Sequence, residues 1–91
     1  MKRTGKQHAA QGSHAHLAET IANMQKALGA RVRELREQRQ WTQRELADAC
    51  GMDHNLVGSI ERGQCNATVT TLLKIAGRFE TTLAALFDGL G

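Results

Sequence analysis

Apolar residues recur at helical spacing from residue 17 onward. Leu17, Ile21, Met24 and Leu28 step by four and three, and Leu28, Val32 and Leu35 continue the stripe. This is the 3.6-residue period of one helix face, not the alternation of a strand. Gly29 interrupts the run, at a cost of ~1 kcal/mol if it is helical. Either one long helix bends there or two helices abut. Residues 28–39 would be the first helix of a packed core, which leaves the stripe upstream of Leu28 surplus to it. That surplus must be covered, and a second subunit is a fair candidate. Farther on, Val69, Leu72, Leu73, Ile75, Ala76 and Phe79 predict a helix capped by Thr68. Leu83, Leu86 and Phe87 predict a short last helix capped by Thr82. Residues 1–13 (MKRTGKQHAAQGS) are polar and unpatterned and read as a disordered basic arm. Residues 89–91 are expected to fray.

Between these helices the pattern tightens. Numbered from Gln43, the fourth and fifth residues are Leu46 and Ala47, the eighth to tenth are Cys50, Gly51 and Met52, and the fifteenth and eighteenth are Val57 and Ile60. Two short helices crossing steeply need these types at these places. Ala47 is small enough for close approach, Gly51 supplies a positive φ at the turn, and the rest form the core between the helices. The caps agree. Thr42 with Glu45 reads as a capping box, Asp53 as an N-cap, and Gly63 as the stop of a second helix over residues 54–62. The alternative is an ordinary αα-hairpin, for which the turn spacing is too specific.

Composition narrows the class. Ninety-one residues make one domain, and the absence of proline favours an all-α fold. No apolar run spans a bilayer and no signal-peptide core is visible, which points to the cytoplasm and away from membranes. The two cysteines form no disulfide framework. Cys50 falls on a core position, and Cys65 on the loop after Gly63. Twelve basic residues against nine acidic give +3, too little by itself to argue for nucleic acid. Distribution says more: Lys2, Arg3 and Lys6 on the arm, then Arg31, Arg33, Arg36, Arg39 and Arg44. Aromatics are scarce, so stacking platforms for single strands are missing and duplex DNA is the better partner. His8, His14 and His16 lack further ligands at metal spacing. No nucleophile–base set or phosphate loop is visible, so neither an enzyme nor a cofactor is expected.

With these residues in view, the chain resembles lambda-repressor-like DNA-binding proteins of the Xre type. The resemblance rests on LGARVRELREQRQWTQRELA, on IERG at residues 60–63, on Asn66, on TLLKIA at residues 71–76 and on LAALF at residues 83–87. It is similar to small restriction–modification controller proteins, phage repressors and antitoxins of the HigA or HipB kind. Ala67 stands where the family commonly has proline, and the first 27 residues have no counterpart. The resemblance implies an all-α, five-helix DNA-binding domain over residues 28–91, with an additional N-terminal helix over residues 14–27. It implies a homodimer on a palindromic operator. It also implies that Arg36 and Glu61 pair between the first and third core helices, orienting the latter more than stabilising the fold.

The residue types carry their own chemistry. Gln43 opens a helix whose N-terminus can face a phosphate, and Arg44 lies beside it. His54, Asn55 and Ser59 share the exposed face of the second helix. Asn55 suits adenine, His54 guanine, and Ser59 either donor or acceptor, while Leu56 suits a thymine methyl. Arg62 and Asn66 would hold phosphates at the far end. For each, a solvated helix surface is the alternative. Leu83, Leu86 and Phe87 make the last helix a dimer contact. The expected function is a sequence-specific transcription regulator. The alternative is an antitoxin whose main partner is a toxin. RNA polymerase is the further partner if the protein activates.

Overall fold

The computed structural model describes the backbone of residues 2–88 and the side chains of residues 15–88. Five helices follow in order: α1 Lys2–Gln38, α2 Gln43–Cys50, α3 His54–Glu61, α4 Val69–Arg78 and α5 Leu83–Leu86. The described residues contain no strand. Helix α1 runs through the stretch expected as a disordered basic arm, and residues 89–91 lie outside the described residues.

Each short helix begins at the residue the sequence offers. Thr42 accepts from the Glu45 amide, and the Glu45 carboxylate accepts from the Thr42 amide at 2.8 Å, closing a capping box. Asp53 Oδ1 accepts from the Asn55 amide at 2.8 Å. Thr68 and Thr82 do the same for α4 and α5. Gly51, at φ 68°, closes α2 in the left-handed conformation, and the Met52 amide bonds back to the Ala47 carbonyl. Arg62 is the C-cap of α3, and Gly63 follows at φ 70°. The same left-handed turn ends α1 and α4, but there the residues are Gln40 and Glu80, at φ 58° and 56°.

Helix α1 is continuous through Gly29, so the two-helix alternative is set aside. The glycine is there for packing. A Cβ on Gly29 would collide with the Ile60 carbonyl oxygen and stand 2.7 Å from that of Glu61. The end of α3 therefore lies on the bare backbone of α1. Gly63 repeats this contact one residue beyond the cap, where a Cβ would sit 2.8 Å from Lys26 Cα.

The core joins Leu28 and Val32 of α1 to Leu46, Ala47 and Cys50 of α2, Val57 and Ile60 of α3, Leu72, Ile75 and Ala76 of α4, then Phe79 and Leu86. Full burial of each large apolar side chain contributes ~1.5–3 kcal/mol. Burial also pushes the Cys50 thiol up from its ordinary value, and its Sγ donates weakly to the Lys74 carbonyl at 3.7 Å. Leu28 is where the α1 stripe enters this core. Upstream, Leu17, Ile21 and Met24 remain 55%, 42% and 41% exposed. The expected boundary between residues 27 and 28 falls inside this one continuous helix. Leu86 is fully buried. It fills the chain's own core and is corrected from a dimer contact to a core residue. Leu83 and Phe87 are only half-buried. Among the described residues no helix is long and apolar enough to cross a membrane.

Candidate nucleic-acid interface

Helix α3 turns Val57 and Ile60 into the core, which fixes what it shows outward. His54, Asn55 and Arg62 are exposed and Ser59 is half-buried. Asn55, Gly58 and Arg62 follow at spacings of three and four and form one row on the side away from the core. Leu56 is half-buried against the core, so only its outer edge is available to a base. His54 Nδ1 lies 3.8 Å from Asp53 Oδ1, a contact that becomes an ion pair only when the imidazole is protonated. Arg44 is exposed at the start of α2, and Asn66 is exposed in the loop after Gly63. The structure thus brings together His54, Asn55 and Gly58 of α3 and its C-cap Arg62, with Gln43 of α2 beside Gly58.

The orientation of α3 is set from below. Arg36 Nε donates to Glu61 Oε2 at 2.7 Å, and Arg36 Nη2 donates to Glu61 Oε1 at 3.0 Å. The two side chains are 12% and 3% exposed. The hydrogen bonds to Glu61 raise the Arg36 pKa, so the guanidinium stays charged throughout. Arg36 Nη1 also donates to the Trp41 carbonyl at 2.7 Å, tying the α1–α2 turn to the pair. Gln43 Nε2 donates to Glu61 Oε1 at 3.0 Å. The Gln43 side chain is thereby committed to the network. What α2 keeps for an anion is the backbone N–H groups of Gln43 and Arg44, since that of Glu45 already donates to Thr42.

Two features escaped the sequence reading. The first is an arginine–aromatic cluster. Trp41 and Phe79 stack with centroids 5.6 Å apart and planes 12° apart. Arg39 lies 4.9 Å from the Phe79 centroid and donates to the Phe79 carbonyl at 3.0 Å. Arg78 lies 5.1 Å from the Trp41 centroid. This cluster fastens the α1–α2 turn to the end of α4. Trp41 and Phe79 lie far apart in sequence, and no local spacing reports their meeting. The second feature reduces the charge argument. Arg31 pairs with Glu34, Arg33 with Glu37, Arg36 with Glu61, and Arg39 is spent on the cluster. The basic run between α1 and α2 is therefore less of a phosphate-binding stripe than its composition suggests.

An apolar groove of about 220 Å³ lies between α1, the loop at residues 65–67, α4 and the end of α5. Ile21, Met24, Leu28, Leu72 and Phe87 line it, together with Gln25 and residues 65–67. Val69 and Leu73 of α4 are also 62% and 52% exposed.

Comparison with known proteins places this geometry. The HTH_3 family model, described as helix-turn-helix, matches residues 32–86. The chain is similar to the HTH-type transcriptional regulator SutR of Escherichia coli strain K12, at 41% identity over 56 residues. That match takes in 62% of this chain and 32% of SutR, so the chain spans about a third of that relative. Among solved structures it is similar to the restriction-modification controller protein C.AhdI from Aeromonas hydrophila, with a TM-score of 0.65 and 34% identity over 77% of this chain and 98% of that one. It is also similar to the clp gene regulator ClgR from Corynebacterium glutamicum, with a TM-score of 0.69 and 25% identity over 74% and 71% of the two chains.

Proposed function

The chain belongs to the HTH_3 helix-turn-helix family of transcription regulators, and on that premise we propose that it is a homodimer that reads a palindromic operator through the major groove. The observation that carries the reading is the exposed row of α3, held at a fixed angle by the Arg36–Glu61 pair beneath it. An oriented helix with Asn55, His54 and Ser59 outward is a base-reading surface. Asn55 pairs with adenine through its amide, His54 donates to guanine, Ser59 adjusts to either, and the edge of Leu56 meets a thymine methyl. The α2 backbone N–H groups of Gln43 and Arg44, the Arg44 side chain, Arg62 and Asn66 take phosphates on either side. The apolar stripe of α1, with Phe87 across the groove beside it, supplies the contact between copies. It leaves the two α3 helices free for successive grooves.

Selection from random duplex DNA tests this. The expected product is an inverted repeat with half-site centres about one helical turn apart. Asn55→Ala is expected to lose ~1–3 kcal/mol per half-site and to relax one base position in each. An unchanged selected sequence in that variant would remove Asn55 from base reading.

A further inference from the structure

A glycine in the middle of a recognition helix is costly. Its backbone is freer when unfolded, and it offers nothing to a base. Gly58 is nevertheless buried, although it sits on the outward row of α3 between Asn55 and Arg62. What buries it are two side chains that lie over it. A Cβ at this position would stand 3.0 Å from Arg62 Nη1 and 3.5 Å from Gln43 Oε1. Arg62 is steadied at its other side, where its Nε donates to Gln64 Oε1 at 3.0 Å. Gln43 is steadied by Glu61, which accepts from its Nε2. Both side chains therefore meet over the bare backbone of α3. Each is restrained by a partner that is not DNA.

We infer that Gly58 is a positioning residue of the DNA-binding face: its missing side chain is the seat that draws the Arg62 guanidinium back along α3, next to Gln43, to meet a backbone phosphate of the operator. This rests on the DNA-binding reading above and adds to it the reason for the glycine. The guanidinium is pre-placed, so less side-chain freedom is lost when the phosphate arrives. A methyl group at the seat would press on the far end of an exposed, flexible side chain. The fold accommodates it by releasing Arg62, and the clamp is lost while the helix gains a better helix former.

Opposite signs in folding and binding are the signature. Gly58→Ala is expected to raise the melting temperature by about 4 °C or more. It is expected to weaken binding of the duplex selected by the parent chain by about tenfold per half-site. The salt dependence of log K should flatten by ~0.9 per half-site. The deciding measurement repeats Gly58→Ala in an Arg62→Ala background, where the loss of affinity should vanish because the seated group is gone. An undiminished loss there would mean that the methyl acts on DNA or on the fold directly, and the inference would fall whatever the melting temperature did. Equal binding by Gly58→Ala and the parent would overturn it alone. Absence of salt-dependent duplex binding by the parent chain would overturn the DNA-binding reading as well.

Discussion

At the scale of single residues, glycine and its absence decide more than side-chain chemistry does. By helix propensity alone, Gly29→Ala should help, since alanine is favoured by ~1 kcal/mol inside a helix. The structure reverses the sign. The added Cβ meets two backbone carbonyls of α3, and backbone cannot step aside as a side chain can. Gly29→Ala is expected to destabilise by ~1–3 kcal/mol, in the range of overpacked cores, and to displace α3 from α1. Gln40→Gly should do the opposite. Its left-handed φ of 58° strains any residue with a Cβ, and relief should exceed the added unfolded-state entropy by up to ~1 kcal/mol. Urea denaturation of the two variants checks both signs, and a neutral Gly29→Ala would mean that the close crossing is not needed. The sequence showed Gly51 and Gly63 as turn glycines because a turn is local. It showed Gly29 only as an interruption, because the atoms it makes room for are some thirty residues away.

At the scale of elements, caps and stripes were legible and cross-helix partners were not. Thr42, Asp53, Thr68 and Thr82 mark where helices begin by hydrogen bonds reaching two or three residues, so a window of sequence contains the whole interaction. The Arg36–Glu61 pairing came from resemblance, not spacing. The third member of that network, Gln43, was read only as a phosphate ligand. Its bond to Glu61 makes the site a three-residue bracket between α1, α2 and α3. Breaking it from one side strands a charge. Glu61→Ala should cost ~3 kcal/mol, because Arg36 is left nearly buried without its carboxylate. The double variant Arg36→Met with Glu61→Leu should recover most of that stability, since an apolar pair of similar volume replaces the ions. Operator affinity should not recover, because the directional hydrogen bonds that hold Gln43 and set the fine angle of α3 are gone. Paired denaturation and DNA titrations separate the two roles. Parent-like affinity in the double variant would show that the pair does not orient the reading helix.

For the whole molecule the open question is what covers α1. Leu17, Ile21 and Met24 stand exposed along α1, beside a groove lined by Leu28, Leu72 and Phe87, and apolar surface gathered on one face marks an interaction site. The sequence showed the stripe but could not show that the core stops at Leu28, because periodicity is the same on packed and unpacked turns. A second copy is the economical cover. An isologous contact through the stripe buries the same face twice and supplies the two-fold symmetry a palindrome requires. Ile21→Glu with Met24→Glu is therefore expected to give monomers in sedimentation, with the melting temperature at low concentration nearly unchanged, since neither residue belongs to the core. Operator binding should weaken by far more than a single lost contact, because each half-site would have to be bound independently. Leu86→Glu is expected to unfold the domain, as it places a charge where no solvent reaches. A dimer that survives the α1 double substitution would move the interface to the half-buried Leu83 and Phe87 of the last helix and its cap. A parent chain that is monomeric at operator-binding concentrations would instead leave the stripe for a different protein, which is the arrangement an antitoxin requires.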